Sequence, residues 1–429
     1  MPRKWKNAVA PSWGHRLLGI EGLRAFAAVA VMIGHVHGKL GQEAVGEPWS
    51  RLLGFTGHGL TLFFALSGFL LFRPFAASLL NGTKRPGTGR YALNRALRIF
   101  PGYIVILLVV SFVLGAANTQ APTWGDTNFS RTDGSVGYFW NPIGFIASLL
   151  MVQTWFPSTN RLGIGVAWSL SVELVFYILL PLLAILAGWV LARSGRRWVA
   201  VALPPLLLFA LGLAGKICSA LVMRGYPESM RFALEWGDNW VAVLNRSILV
   251  HGDLFAYGMV AAVIVVLVQA KEISPRTIST IVLASWGAVV IFGVAGFFGL
   301  GRVLNDSLVG VACGALLLVV VLPNRRDQHS SLARALELPP IRYTGMVSYS
   351  FYLWHVPVIW LLVALGWVFS DTPLGFAGNI LIVFAVSLAF SAATYHLVEA
   401  PAMRLKKRTG SRAADTMPTS DREAAPEKA

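Results

Sequence analysis

The sequence predicts an all-α fold, a polytopic transmembrane helix bundle of about ten spans, and three observations predict it. Hydrophobic residues make up 55% of the 429 residues and charged residues only 13%. Long apolar stretches recur along the whole chain, and the basic residues gather in alternate gaps between them. A soluble chain of this length needs roughly a quarter of its residues charged to cover its surface. With a mean hydropathy of +0.63, a soluble globular protein and a disordered one are both excluded. The two cysteines, Cys218 and Cys313, sit in apolar runs without a Cys or His at metal spacing, so neither a disulfide scaffold nor a metal centre is expected.

A span needs about 20 predominantly apolar residues. The first stretch, 19–38, follows Arg3, Lys4, Lys6 and Arg16. It resembles a signal peptide weakly, but it is long and carries internal charge, so a retained helix is expected. Further spans are expected near 59–77, 99–117, 166–191, 198–222, 247–269, 277–299, 304–322, 344–369 and 374–398. The segment 142–156 is short and contains Asn141-Pro142 and Gln153. It reads as re-entrant or interfacial, which is tolerated where protein covers it.

Orientation follows the basic residues. With ten crossings and both termini cytoplasmic, the inner side holds Lys84, Arg85, Arg90, Arg95 and Arg98, then Arg193, Arg196 and Arg197, then Arg325 and Arg326, then Lys406, Lys407 and Arg408. The basic excess is thus an orientation signal, and nucleic-acid binding is not expected because no basic stretch forms a separate module. The domain reading is a cytoplasmic segment 1–17, a membrane domain 18–404 and a disordered cytoplasmic tail 405–429. The longest polar connections, 118–141 and 223–246, fall on the outer face.

Charges inside the membrane cost a few kcal/mol or more and must face a partner or a cavity. The first span carries Arg24 and, eleven residues on, His35, with His37 just beyond. Eleven residues rise roughly 16 Å, and at 100° per residue the two side chains differ by about 20° after whole turns, so they share one face. A cation near the cytoplasmic end is thereby aligned with a proton-transfer group deeper in. Arg95 and Arg98 are three apart, next to Pro101, and on a helix share a face; guanidinium pairs suit phosphate. Glu173, in the run entering the fourth span, needs a donor, and a carboxylate beside His35 would orient its ring.

Ser67 lies in the second span, where packing is the ordinary role of a serine. Asn245-Arg246 and His251-Gly252-Asp253 open the sixth span; they suit an acceptor site or an interfacial salt bridge equally. Ser348-Tyr349-Ser350 and Tyr352 through His355 to Pro357 mark the ninth span, and Glu399 ends the tenth. Asp253, Tyr349 and His355 are the candidate substrate-binding residues. Other Trp and Tyr residues read as interfacial belts. No GxxxxGK[ST], HExxH or GxSxG is present.

The strings GLRAFAAVAVMIGH, LFFALSGFLLF, RALRIFPGY, AWSLSVELVFYILLPLL, DLFAYGMVAA, SYSFYLWHVPVI and HLVEAPAMR together resemble the acyltransferase 3 family of integral-membrane acyltransferases. They occur in the family's order over about residues 18 to 404, with the arginine–histidine pattern at Arg24 and His35 and the paired-arginine motif at Arg95 and Arg98. The resemblance implies an O-acyltransferase of the bacterial plasma membrane. Its donor would be cytoplasmic acyl-CoA, most simply acetyl-CoA, and its acceptor a hydroxyl of a cell-envelope glycan, a glycolipid or a macrolide. It implies a stand-alone member without an appended SGNH domain.

On that resemblance the expected roles are acyl-CoA binding by Arg95 and Arg98, and general-base catalysis by His35, oriented by Glu173, with Arg24 guiding the donor. A covalent acyl-histidine is the alternative route. The rival class is a proton-coupled transporter or flippase, since intramembrane His, Arg and Glu also mark such pathways.

Overall fold

A computed structural model describes residues 17–41, 43–120, 136–323 and 328–405, without the side chain of Phe232. The expected cytoplasmic tail, the first sixteen residues, Arg325/Arg326 and Lys406/Lys407/Arg408 lie outside these residues.

The chain runs α1 (Ile20–Leu40), α2 (Trp49–Phe55), α3 (Gly59–Asn81), α4 (Thr88–Leu108), α5 (Pro142–Leu149), α6 (Trp168–Ser194), α7 (Arg197–Met223) and α8 (Arg231–Trp236). It continues as α9 (Trp240–Asn245), α10 (Ile248–Gln269), α11 (Pro275–Phe297), α12 (Asn305–Val321), α13 (Ser331–Ala335), α14 (Pro339–Met346), α15 (Ser348–Ala364) and α16 (Pro373–Thr394). The one strand pair among the described residues joins Ala117–Asn118 to Val136–Gly137. Nine helical segments of the described chain are long and apolar enough to cross a membrane, and the bent pair α14–α15 makes a tenth. The protein is a polytopic helical bundle.

Two expected boundaries move. The cationic segment before the third span is largely helix: α4 begins at Thr88, ahead of the span start expected near 99, and Arg95 and Arg98 stand one turn apart on it. The expected ninth span breaks by 75° between α14 and α15. Gly345 packs so closely on the backbone of Glu21 in α1 that a Cβ there would strike its carbonyl. Helix α14 therefore lies against the start of α1, and α15 turns into the bundle from Ser348. The short α5 has eight residues, a rise of roughly 12 Å that cannot cross a bilayer. Asn141 caps it through Gly144 N at 3.0 Å, and Tyr103 of α4 donates to the Ser148 carbonyl at 2.6 Å.

The bundle is organised around α10, which is buried along most of its length. It approaches α3 through two glycines: a Cβ at Gly258 would meet the Ala65 carbonyl, and one at Gly68 would meet that of Phe255. In lipid such small-residue contacts let backbones close where no hydrophobic gain separates one helix from another. At the opposite extreme α11 fully buries only Ser285 and Gly296: Ile278, Ile281 and Val282 pack on the core, while Leu283, Trp286, Val290, Ile291 and Val294 are exposed on its outer side.

Candidate active site

Three helices run between two small chambers. Helix α1 carries Arg24 at one end and His35 eleven residues on. Helix α15 carries Ser348 and Tyr349, then Tyr352, then His355 and Trp360. Helix α6 runs the other way, from Trp168 and Ser169 to Glu173 and Tyr177. The end carrying Arg95 and Arg98 is called here the basic end, and the other the far end.

The basic-end chamber has a volume of about 90 Å³ and is lined by Arg24, Arg95, Arg98, Ser67, Glu173, Tyr177, Ser348, Tyr349 and Tyr352. Arg24 Nε donates to Ser348 Oγ at 3.2 Å and lies 3.7 Å from Glu21. Neither Arg95 nor Arg98 forms an ion pair among the described residues, and Arg95 Nε is buried without a partner. Two uncompensated guanidinium groups at a cleft mouth favour an anionic ligand, best a phosphate met bidentately. Tyr349 is in this chamber, but its hydroxyl donates to the Ile99 carbonyl at 2.7 Å.

Glu173 does not touch His35, contrary to expectation. Its Oε1 accepts from Ser67 Oγ at 2.5 Å and Tyr177 Oη at 2.6 Å. The reason is directional: Glu173 lies one turn deeper into α6 than Ser169, toward the basic end, whereas His35 opens at the far end. Ser67 therefore serves as a donor to the carboxylate, and Tyr177, which the sequence did not single out, is its second donor.

The far-end chamber, about 220 Å³, is lined by His35, Gly38, Lys39, Asn118, Arg161, Trp168, Trp236, Val356 and Trp360, among others. His35 Nδ1 lies 3.0 Å from the Val31 carbonyl and 3.2 Å from His355 Nε2. A carbonyl only accepts, so the network assigns the proton to Nδ1 and leaves the lone pair on Nε2. His355 is fully buried behind His35, and the fixing of the tautomer expected of Glu173 falls to Val31 and His355. Trp168, Trp236 and Trp360 line this chamber rather than a lipid belt. Lys39 Nζ stands 4.2 Å from the Trp360 ring centre and Arg161 Cζ 5.5 Å from that of Trp236. The sequence signal for Trp236 and Arg161 was slight, since both lie in polar connections far from the first span.

Tyr352 lines the basic-end chamber and reaches toward the far one. Its ring packs edge-on against Phe63 and lies 5.7 Å from that of His355. Its hydroxyl is 2.9 Å from Ser169 Oγ and 3.1 Å from the carbonyl of Val166, a residue of the far chamber.

Other candidates fall elsewhere. Both oxygens of Asp253 are taken, by Lys216 Nζ at 2.5 Å and Ser307 Oγ at 2.6 Å, and it lines neither chamber; it clamps α10 to α7 and α12. His37 is buried between the Gly41 carbonyl and Ser50. Glu399 accepts from Ser350 Oγ. Among the described residues no three His, Cys, Asp or Glu side chains gather as metal ligands.

A family model described as an acyltransferase domain matches residues 17–396, so both chambers lie within the match. The chain belongs to the acyltransferase 3 family. It is a multi-pass membrane acyltransferase, similar to acyltransferase MdmB of Streptomyces mycarofaciens at 25% identity over 92% of this chain and 93% of that protein. It is also similar to nodulation protein 10 of Rhizobium leguminosarum bv. viciae, at 26% over 92% of this chain and 95% of that one. A putative O-acetyltransferase of Staphylococcus aureus is 23% identical over 80% of this chain and 50% of its own length. No solved structure matches the acyltransferase.

Proposed function

We propose that the protein transfers a short acyl group, most simply acetyl, from acyl-CoA at the basic end to a hydroxyl of an envelope glycan or glycolipid at the far end. The reading places it in the bacterial plasma membrane with the basic end cytoplasmic. One observation carries it: a single face of α1 opens Arg24 into a chamber with two unpaired arginines and His35 into another, with the lone pair of His35 on Nε2.

In this reading the coenzyme A phosphates rest on Arg95 and Arg98, and the thioester enters beside Arg24. The small volume of the basic-end chamber favours a short acyl chain. The three tryptophans of the far chamber offer flat apolar faces suited to the ring face of a sugar, and the name of the Staphylococcus aureus relative supports acetyl transfer to oxygen.

For the reaction, Tyr352 leaves Ser169 and Val166 and the chambers join. His35 Nε2 takes the proton of the acceptor hydroxyl as its oxygen attacks the thioester carbonyl carbon. The tetrahedral oxyanion can accept the freed Tyr352 O–H. It collapses with cleavage of the C–S bond, and the coenzyme A thiolate takes up the proton carried by His35. The new ester leaves on the acceptor. The test is transfer of radiolabel from acetyl-CoA into envelope extract by membranes containing wild-type protein or His35→Ala at equal insertion. Label incorporation should vanish in the variant, and incorporation at the wild-type rate would refute the role of His35.

A further inference from the structure

Behind the Trp168–Trp236 wall of the far chamber lies a second, larger cavity of about 570 Å³, formed by the end of α7, the start of α10 and the entry to α12. Arg246 and His251 line it and form the back of that wall. The Arg246 guanidinium stacks 3.1 Å from the ring centre of Trp236 and 4.6 Å from that of Trp168, and the His251 ring is 5.3 Å from Trp168.

The charges of this cavity do not cancel. Glu228 and Glu235 share the one guanidinium of Arg231, and Asp306 pairs with His58 only when that ring is protonated, so Arg224, Arg231, Arg246 and Arg302 face three carboxylates, an excess of one cation. Lys216 is committed to Asp253. Burial pushes the Glu235 carboxyl above its ordinary range, against the opposing pull of Arg246 and Arg231. Arg224, Arg246 and Arg302 are left without an ion pair among the described residues. Arg246 is only 9% exposed, and its one hydrogen bond is to the Glu235 carbonyl at 3.2 Å. His251, 8% exposed, must donate from Nε2 to the Asn245 carbonyl at 3.0 Å, and its Nδ1 is buried with no partner. A buried guanidinium with an acid nearby but no ion pair at contact distance, and a buried ring nitrogen without a hydrogen bond, both keep capacity for a ligand.

We propose that this cavity is an anion site that takes a phosphate- or diphosphate-bearing ligand, held by Arg224, Arg246 and Arg302 with His251 meeting a ligand O–H. The site is argued from its own residues and stands apart from the acyl-transfer reading. Its position against the far-chamber wall makes it a place to anchor a charged group beside a molecule reaching His35.

The test uses the purified full chain carrying Arg95→Gln/Arg98→Gln, so that the basic end does not respond. Inorganic pyrophosphate should raise its unfolding temperature in a saturable way. Adding Arg224→Gln/Arg302→Gln, at exposed positions that spare the fold, should weaken the apparent affinity by about tenfold or more. No stabilisation of the parent, or equal affinity in both proteins, would overturn the site. Repeating the titration in nanodiscs separates two sources of the same chemistry. Suppression by phosphatidylglycerol but not phosphatidylcholine marks a lipid headgroup as the occupant. An equal response in both lipids marks a phosphate borne by another molecule.

Discussion

The two chambers share three helices, yet they solve opposite electrostatic problems. At the basic end cations are left unsatisfied: Arg95 and Arg98 have no acidic partner among the described residues, and the nearby Glu173 is turned to two hydroxyls instead. At the far end the central group is an imidazole held by a carbonyl and a second imidazole, with tryptophan walls. Leaving guanidinium groups unpaired costs stability but preserves their capacity for an anion. Fixing the tautomer of His35 preserves a lone pair for a proton. The comparison suggests anchoring at one end and proton handling at the other, with Tyr352 between them.

Breaking the far end should cost most. His35→Gln keeps the volume but loses the base, and acyl transfer should fall about 10²–10⁴-fold, measured as product formation per inserted protein, while acyl-CoA still stabilises the fold. A variant that also loses its acyl-CoA response would place His35 in donor binding and erase the distinction between the ends. The converse experiment is Arg95→Gln or Arg98→Gln. Loss of one charge-assisted contact, about 1.5–3 kcal/mol, should raise the KM for acyl-CoA roughly ten- to hundredfold, with kcat changed far less. A fall in kcat at unchanged KM would move these arginines away from anchoring.

Glu173→Gln sharpens the comparison, because the two hydroxyls can turn to the amide. A loss of about 1–2 kcal/mol in stability is expected from the weaker hydrogen bonds, read by thermal unfolding. The pH profile of the transfer rate should keep its wild-type midpoint, since Glu173 does not touch His35. A displaced midpoint would show that carboxylate and imidazole communicate after all. Tyr352→Phe should have the smallest effect on stability, about 0.5–1.5 kcal/mol for the lost hydroxyl contacts. Its informative readout is the transfer rate at saturating acyl-CoA, which should fall because the oxyanion loses its O–H donor while the ring stays in place; an unchanged rate would remove Tyr352 from the reaction.

Much of this was legible along the chain. The nine or ten candidate spans among the described residues follow from apolar length alone, because a bilayer imposes a length on every helix. The alignment of Arg24 with His35, and of Arg95 with Arg98, follows from helical period, which is a local property. The break between α14 and α15 was not legible, because it depends on Gly345 meeting the backbone of Glu21, more than three hundred residues away. For the same reason the sequence pairs Glu173 with His35: both are polar groups needing partners, and periodicity within one helix carries no information about its depth against another. Asp253 likewise reads as an available acid until Lys216 and Ser307 close on it.

Residue type and order are enough to set the membrane architecture and to mark which residues must find polar company, since the cost of a bare charge in lipid is fixed by residue type and depth. Who keeps that company depends on how the helices pack. That packing gives His35 to Val31 and His355, gives Glu173 to Ser67 and Tyr177, and sets Tyr352 between them. Pairing across helices depends on their relative height and rotation, and these are set by the glycine contacts and bends of the whole bundle.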